Sequence, residues 1–379
     1  MNDDIQMNND IQIDDSATVR ALLNRLGIAE FLARDDITEV LINRPKELWI
    51  EDSKGFTKYE TEFTCQDLMQ LANALCIYNN KHDLPNILTQ SVRLPDGERG
   101  HIIIPPACEQ DTVVFAIRKP SKSRFSLKSY VDTGRLSGFQ DTADYFCSQK
   151  QVSGSLSEQS AAVLEMAKGF RDTSDDMKLP HDIHLSDWQY AMLNAKANGD
   201  METFFTLGTQ HHCNICMVGG TGSGKTTFTK SVADLIDHNT RIITIEDTHE
   251  LNLEYHENYA HLFYGEQISA KSLIAACMRL KPDRIFLTEL RGDEAWDYLS
   301  ALNTGHAGGL TSVHANDSRS VFARIAQLAK ESPTGRGLDI SFIRSVVKST
   351  IDIVCFFERT KMTQLYFDPV AKIMAANGR

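Results

Sequence analysis

Two kinds of hydrophobic pattern divide the chain. From about Ser16, the residues Val19, Leu22, Leu23 and Leu26 recur at helical spacing until Gly27 breaks the run. Short strand-like stretches follow at 39–42 and 48–50, with an Arg44-Pro45 turn between them. Asp52-Ser53-Lys54-Gly55 is a hairpin signal, and 56–59 is the returning strand. Thr64, with Asp67 three residues on, marks a helix start, and Leu68, Leu71, Ala72 and Leu75 give that helix one apolar face. With strands at 101–104 and 112–117, residues 16–133 read as an α+β domain built on an antiparallel sheet.

The second pattern begins near Asp187. Apolar, strand-sized runs at 214–218, 241–246, 284–288 and 309–313 alternate with helical stretches. That alternation predicts an α/β domain over 188–379 with a parallel-rich sheet covered on both faces. Residues 134–187 fit neither pattern. They carry nine acidic and five basic side chains with many Ser, Gly and Gln, and one amphipathic run at 161–170. They read as a linker with a helical insertion.

Charge changes the picture locally. Lys and Arg number 39 against 51 Asp and Glu, a formal net charge of −12. Asp3, Asp4, Asp10, Asp14 and Asp15 fall in residues 1–15, an expected acidic disordered tail, and the linker holds four more net negatives (9 − 5). The total argues against stable nucleic-acid binding, which needs a cationic face. No run approaches the roughly 18 apolar residues of a membrane span, and the acidic start lacks a secretory signal's positive region. The expectation is a cytosolic protein, with any membrane contact peripheral. Of the eight cysteines, Cys213 and Cys216 have Cys-x-x-Cys spacing behind His211 and His212. No second such pair completes a zinc site, and the segment runs as a buried strand into a glycine loop, so buried thiols are expected. His181 and His184, also three apart, read as surface residues.

That loop is Gly219-Gly220-Thr221-Gly222-Ser223-Gly224-Lys225-Thr226, a full G-x-x-x-x-G-K-[ST] phosphate-binding pattern between a strand and a helix. Glycines let successive N–H groups turn inward on phosphate, and the helix N-terminus adds its positive end. Lys225 is placed for the β- and γ-phosphates and the Thr226 hydroxyl for Mg²⁺. Two later strands end in carboxylates, Glu246 and Glu289. Ligands of open α/β sheets gather at the carboxyl ends of strands. One of the two carboxylates can therefore serve the Mg²⁺ shell and the other can orient the attacking water. His314 ends a further strand, where it can sense the γ-phosphate, whereas His306 falls in a turn suited to backbone hydrogen bonding.

The motif order resembles the secretion-type ATPases. Gly-Gly-Thr-Gly-Ser-Gly-Lys-Thr-Thr, Ile-Glu-Asp-Thr-His-Glu-Leu, Lys-Pro-Asp-Arg-Ile…Glu-Leu-Arg-Gly and Thr-Gly-His-Ala-Gly-Gly…Ser-Val-His-Ala-Asn match that family's Walker A, Asp box, Walker B and His box. Arg93-Leu94-Pro95-Asp96-Gly97-Glu98-Arg99 and Ile117-Arg118-Lys119-Pro120-Ser121 point to the traffic ATPases of type IV secretion and conjugation. The resemblance implies a RecA-like carboxy-terminal domain and a homohexameric ring on the cytoplasmic face of the inner membrane. It implies partners among other secretion ATPases and inner-membrane components, and ATP between the two domains. ATP-binding positions carried over are Gly220, Thr221, Gly222, Ser223, Gly224, Lys225, Thr226 and Thr227, with Arg99 and Arg118 from the amino-terminal domain. Arg279 and Arg291 are further candidates for charge stabilisation. Glu246 takes the water-orienting place and Glu289 the Walker B place, with Thr226, Glu246 and Glu289 as candidate Mg²⁺ ligands; which Glu is the base stays open. His314 would couple the γ-phosphate to domain movement. Thr288 departs from the family's usual Gly before the Walker B Glu. The competing readings are a pilus-type retraction motor and a nucleotide-switched docking hub with negligible turnover.

Overall fold

The computed structural model describes residues 16–52, 54–81, 86–120, 124–145 and 183–378. The acidic tail, the amphipathic run at 161–170 and His181 lie outside them. The chain divides between Lys122 and Ser123 into two compact units.

The first unit holds six strands: β1 (Ile37–Ile42), β2 (Glu47–Asp52), β3 (Gly55–Glu60), β4 (Thr89–Arg93), β5 (Arg99–Ile103) and β6 (Val114–Arg118). Their order is β3-β2-β1-β6-β5-β4, antiparallel throughout. One face carries Val40, Ile42, Leu48, Ile50, Ile102, Phe115 and Ile117 into a core shared with Leu68, Leu71, Ala72 and Leu75 of the helix Cys65–Tyr78. That helix opens with the expected capping box, in which the Asp67 amide donates to the Thr64 hydroxyl and the Thr64 amide to the Asp67 carboxylate. β4 escaped the sequence pattern because only Gln90 and Val92 face inward, and one of the two is polar.

The second unit holds an eight-stranded sheet: β7 (Gln140–Asp141), β8 (Ile215–Gly219), β9 (Ile242–Glu246), β10 (Tyr259–Phe263), β11 (Arg284–Leu287), β12 (Leu310–Val313), β13 (Ile353–Glu358) and β14 (Lys361–Phe367). Its order is β10-β9-β11-β12-β8-β13-β14-β7, parallel from β10 to β13, with β14 antiparallel to β13. Every residue of β8, β9, β11 and β12 is buried, as a parallel sheet covered on both faces demands. β12 lies between the glycine-loop strand β8 and the Glu289 strand β11.

The division differs from the expected boundary at 133. The helix Leu127–Asp132 belongs to the second unit: Leu127 and Tyr130 are buried in its core, and the Tyr130 ring meets Phe228 edge-on at 5.2 Å. Just before it, Arg124 pairs with Asp234. The first residues of the expected linker are likewise structured, with β7 pairing to β14 and Leu136 and Ala143 buried. A two-residue strand has no periodicity to read, and polar composition hid this docking. Cys213, Cys216, Cys277 and Cys355 are buried and free; burial pushes the Cys216 thiol up to about 12. Among the described residues, no helix is long and apolar enough to cross a membrane.

Candidate functional site

The glycine loop is fixed by one close contact at its start and by left-handed backbone further on. At Gly219, φ is 148° and an added Cβ would stand 2.4 Å from the Phe357 carbonyl. Gly224, at φ 88°, turns the chain into the helix Lys225–Ala233. Lys225 Nζ donates to the Gly219 and Gly220 carbonyls at 2.8 and 2.7 Å, and Ser223 Oγ donates to Gly220 O at 2.8 Å. Thr226 and Thr227 sit in the first turn of that helix. A concavity beside Gly219–Ser223 is also lined by His314, Ala315 and Asn316 after β12 and by Phe356–Arg359 of β13 and its turn. Arg359 and Thr360 both have positive φ, 47° and 66°, at the tip of the β13–β14 hairpin. This places Arg359, a cation the sequence reading passed over, beside the phosphate loop.

The carboxylates differ from expectation. Glu246 does not face the loop: it is wholly buried, and both of its oxygens are occupied. Oε2 accepts the Glu250 and Leu251 amides, each at 2.9 Å, and Oε1 accepts the Thr244 hydroxyl at 2.8 Å. Burial works to raise its pKa, but hydrogen bonds from His261, the two amides and Thr244 outweigh that and hold it below the ordinary carboxylate value. Glu246 is thus engaged away from the Thr226 hydroxyl, where the sequence expectation had set it as a Mg²⁺ ligand and water-orienting residue. The carboxylate that reaches the loop is Glu250, four residues on, whose Oε2 accepts the Thr226 hydroxyl at 3.1 Å. Its signal was present in the quoted Ile-Glu-Asp-Thr-His-Glu run, but a turn beyond the strand end decides which acid points inward.

Glu289 follows β11 and is held from two sides. Arg291 Nη2 lies 2.7 Å from Oε2, and His314 Nε2 lies 3.3 Å from Oε1. Arg291 also reaches Asp247 at 2.7 Å. The hydrogen bond to Glu289 raises the Arg291 pKa further, so this guanidinium stays charged. Thr288 is tied to β9 through its amide and hydroxyl on Ile245 O, and Ser312 Oγ donates to its carbonyl at 2.8 Å. Those bonds give the departure from Gly a structural place. The Gly308-Gly309 pair before β12 is explained by packing, since Cβ atoms there would stand 2.7 Å from Arg284 Nη1 and 2.5 Å from Tyr298 Oη. His306 Nδ1 lies 3.2 Å from Pro282 O, the backbone contact its turn suggested.

The three other candidate arginines stand elsewhere. Arg279 is exposed after the helix Ala270–Cys277, just before β11 begins. That is the end of the parallel strands opposite the glycine loop, so within one chain it does not join these residues. Arg99 and Arg118 are direct cross-strand partners in the first unit, with Arg93 opposite Arg99 and Glu39 opposite Arg118. One row across β4, β5 and β6 thus carries three guanidinium groups.

Comparison with known proteins bears on the family and the fold. The family model "Type II/IV secretion system protein" matches residues 185–359. The type IV secretion system protein VirB11 of Bartonella quintana is 32% identical over 375 residues, covering 96% of this chain and 97% of the relative. PtlH of Bordetella pertussis is 32% identical over 359 residues, 93% of each chain. Among solved structures, the VirB11 ATPase of the Brucella suis type IV secretion system, in complex with sulphate, aligns with a TM-score of 0.50 at 31% identity over 96% of this chain and 98% of that one. The pilus retraction motor PilT with bound ADP shares the fold, with a TM-score of 0.54 at 16% identity, covering 94% of this chain and 86% of that one. A glycine loop, two carboxylates and a histidine at neighbouring strand ends, together with relatives matched along nearly the whole chain, place the protein in the type II/IV secretion system family, among its type IV secretion ATPases.

Proposed function

We propose that the chain hydrolyses ATP with Mg²⁺ and uses the energy to drive transfer or pilus assembly in a type IV secretion or conjugation system. The observation that carries the chemistry is the contact between Glu250 and Thr226, with Glu289 and His314 paired nearby. The Thr226 hydroxyl with these carboxylates is an oxygen-rich donor set of the kind Mg²⁺ takes, and the Gly219 cradle, which a Cβ would block, suits phosphate. When bound, the metal would neutralise charge on the β- and γ-phosphates. Lys225 and the loop amides would hold the phosphates. Glu250 and Glu289 would divide two tasks, one in the metal shell and one taking the proton of the attacking water. Arg291 holds the Glu289 carboxylate in an ion pair, and His314, in contact with Glu289, can report whether a γ-phosphate is present. Arg359 is added as a phosphate-side cation, and Arg99 and Arg118 are kept as nucleotide contacts, with a homohexamer on the cytoplasmic face of the inner membrane and other secretion components as partners.

The test is phosphate release by wild type, Lys225→Ala, Glu250→Gln, Glu289→Gln and Glu246→Gln, with ATP affinity and native mass measured in parallel. Turnover should fall by about 10²-fold or more in Glu250→Gln and Glu289→Gln. Whichever of the two still binds Mg·ATP tightly identifies the base. Wild-type turnover equal to that of Lys225→Ala would overturn the motor in favour of a docking hub, and a monomer in the presence of ATP would overturn the ring.

A further inference from the structure

At the carboxyl end of β9, two imidazoles converge on one oxygen. His261 Nδ1 lies 3.4 Å and His249 Nδ1 3.5 Å from Glu246 Oε1. The ligand atoms of the three residues all fall within 4.8 Å of one another. β10 delivers His261 in register with Thr244 of β9, and the turn after β9 brings His249 back over it. The two rings stand 4.4 Å apart, tilted by 57°.

The separations are informative. A tetrahedral ion with donors at about 2.0–2.2 Å sets those donors roughly 3.4 Å apart. Both nitrogen–oxygen separations match that edge. The Thr244 hydroxyl donates to Glu246 Oε1 at 2.8 Å and is hydrogen-bonded to His261 Nδ1 at 2.6 Å, a contact that an ion on His261 would replace. The other oxygen of Glu246 is fixed by the Glu250 and Leu251 amides, the outer support that orients a ligating carboxylate. Glu246 is wholly buried, the His261 side chain is 13% exposed and that of His249 47%, so the pocket has a rigid floor and an entry side.

We propose that Glu246, His249 and His261 bind a divalent cation of the zinc class, with the remaining position open to water. Two imidazoles and one carboxylate suit Zn²⁺ or Co²⁺, whereas Mg²⁺ prefers six oxygens. The site is separate from the Mg²⁺ proposed at Thr226, but the two communicate through the chain. The Glu246 carboxylate fixes the amide of Glu250, and Glu250 touches Thr226. An ion on Glu246 and His249 would restrain the segment that carries Glu250.

Tag-free, full-length, chelator-treated protein without nucleotide tests this by titration with Co²⁺ in excess Mg²⁺, followed by visible absorption and calorimetry. One ion per chain should bind with a tetrahedral absorption envelope and no thiolate charge-transfer band. Affinity should drop roughly tenfold or more in His249→Ala and in His261→Ala and stay unchanged in His238→Ala. His249 is half exposed, so its variant should fold normally, as circular dichroism would check. Binding equal in wild type and in the His249→Ala/His261→Ala double variant, displacement by Mg²⁺, or a thiolate band would each overturn the site.

Discussion

Glu246 and Glu250 stand one turn of loop apart in sequence and do opposite work. Both are acids of the same short motif, yet one closes a strand end from inside and the other reaches the nucleotide loop. The sequence logic that ligands gather at strand ends selected Glu246 because it is the last residue of β9. The outcome turned on side-chain direction: Glu246 points to the covered side, where two amides and a hydroxyl meet it. Glu246→Gln places an amide NH₂ against donors that now point at carboxylate oxygens. The variant should lose about 1–3 kcal/mol of stability, read from the urea midpoint, with any fall in turnover following the altered segment. Stability equal to wild type would remove Glu246 from its structural role. By contrast, the positions of Lys225, Thr226, Glu289 and His314 at a helix start and at strand ends were legible, since each is fixed by spacing from a glycine or a strand terminus.

Elements were legible where their cause is local. The helix Cys65–Tyr78 announces itself through Thr64 and Asp67, and its buried face is the one the spacing foretold. The Asp67 carboxyl is lowered, first by the Thr64 amide and then by the Thr64 hydroxyl. A lowered folded-state pKa means the contribution is present above the unfolded carboxylate value and disappears as pH falls through the folded one. Asp67→Asn should therefore lower the denaturation midpoint at neutral pH, and its difference from wild type should close as the medium is acidified below the ordinary aspartate range. A difference that grows in acid would contradict the cap. β7 and β4 lacked such local causes: β7 exists because β14 offers an edge, and β4 because β5 does. Pairing of this kind depends on a distant partner rather than on the strand's own residues.

At the scale of the molecule, the β–α alternation predicted the second unit's parallel sheet. The placement of β12 between β8 and β11 lay in the tertiary winding. That order sets Glu289 two strand spacings, about 10 Å, from the glycine loop's strand, with His314 at the strand between them. The boundary was less legible, because docking of 124–145 rests on a few buried side chains in polar company. A fragment of residues 123–379 should unfold in one cooperative transition. A fragment of 134–379, lacking Leu127 and Tyr130, should be less stable by on the order of 3 kcal/mol and bind hydrophobic dye. Equal melting of the two fragments would return that helix to the first unit.

The neighbourhood of β8, β13, β14 and β7 also has a mechanical meaning. The backbone of the phosphate loop rests on Phe357, β13 is hydrogen-bonded to β14, and β14 to β7. Three strand spacings, about 14 Å, separate the loop's strand from β7, which lies in the stretch that follows the junction between units. Hydrogen-bonded strands resist sliding, so a displacement at the loop would travel crosswise through the sheet as through a stiff plate. Under the proposed function, strain from phosphate release at the loop would have a short route through β13 and β14 to residues 140–141.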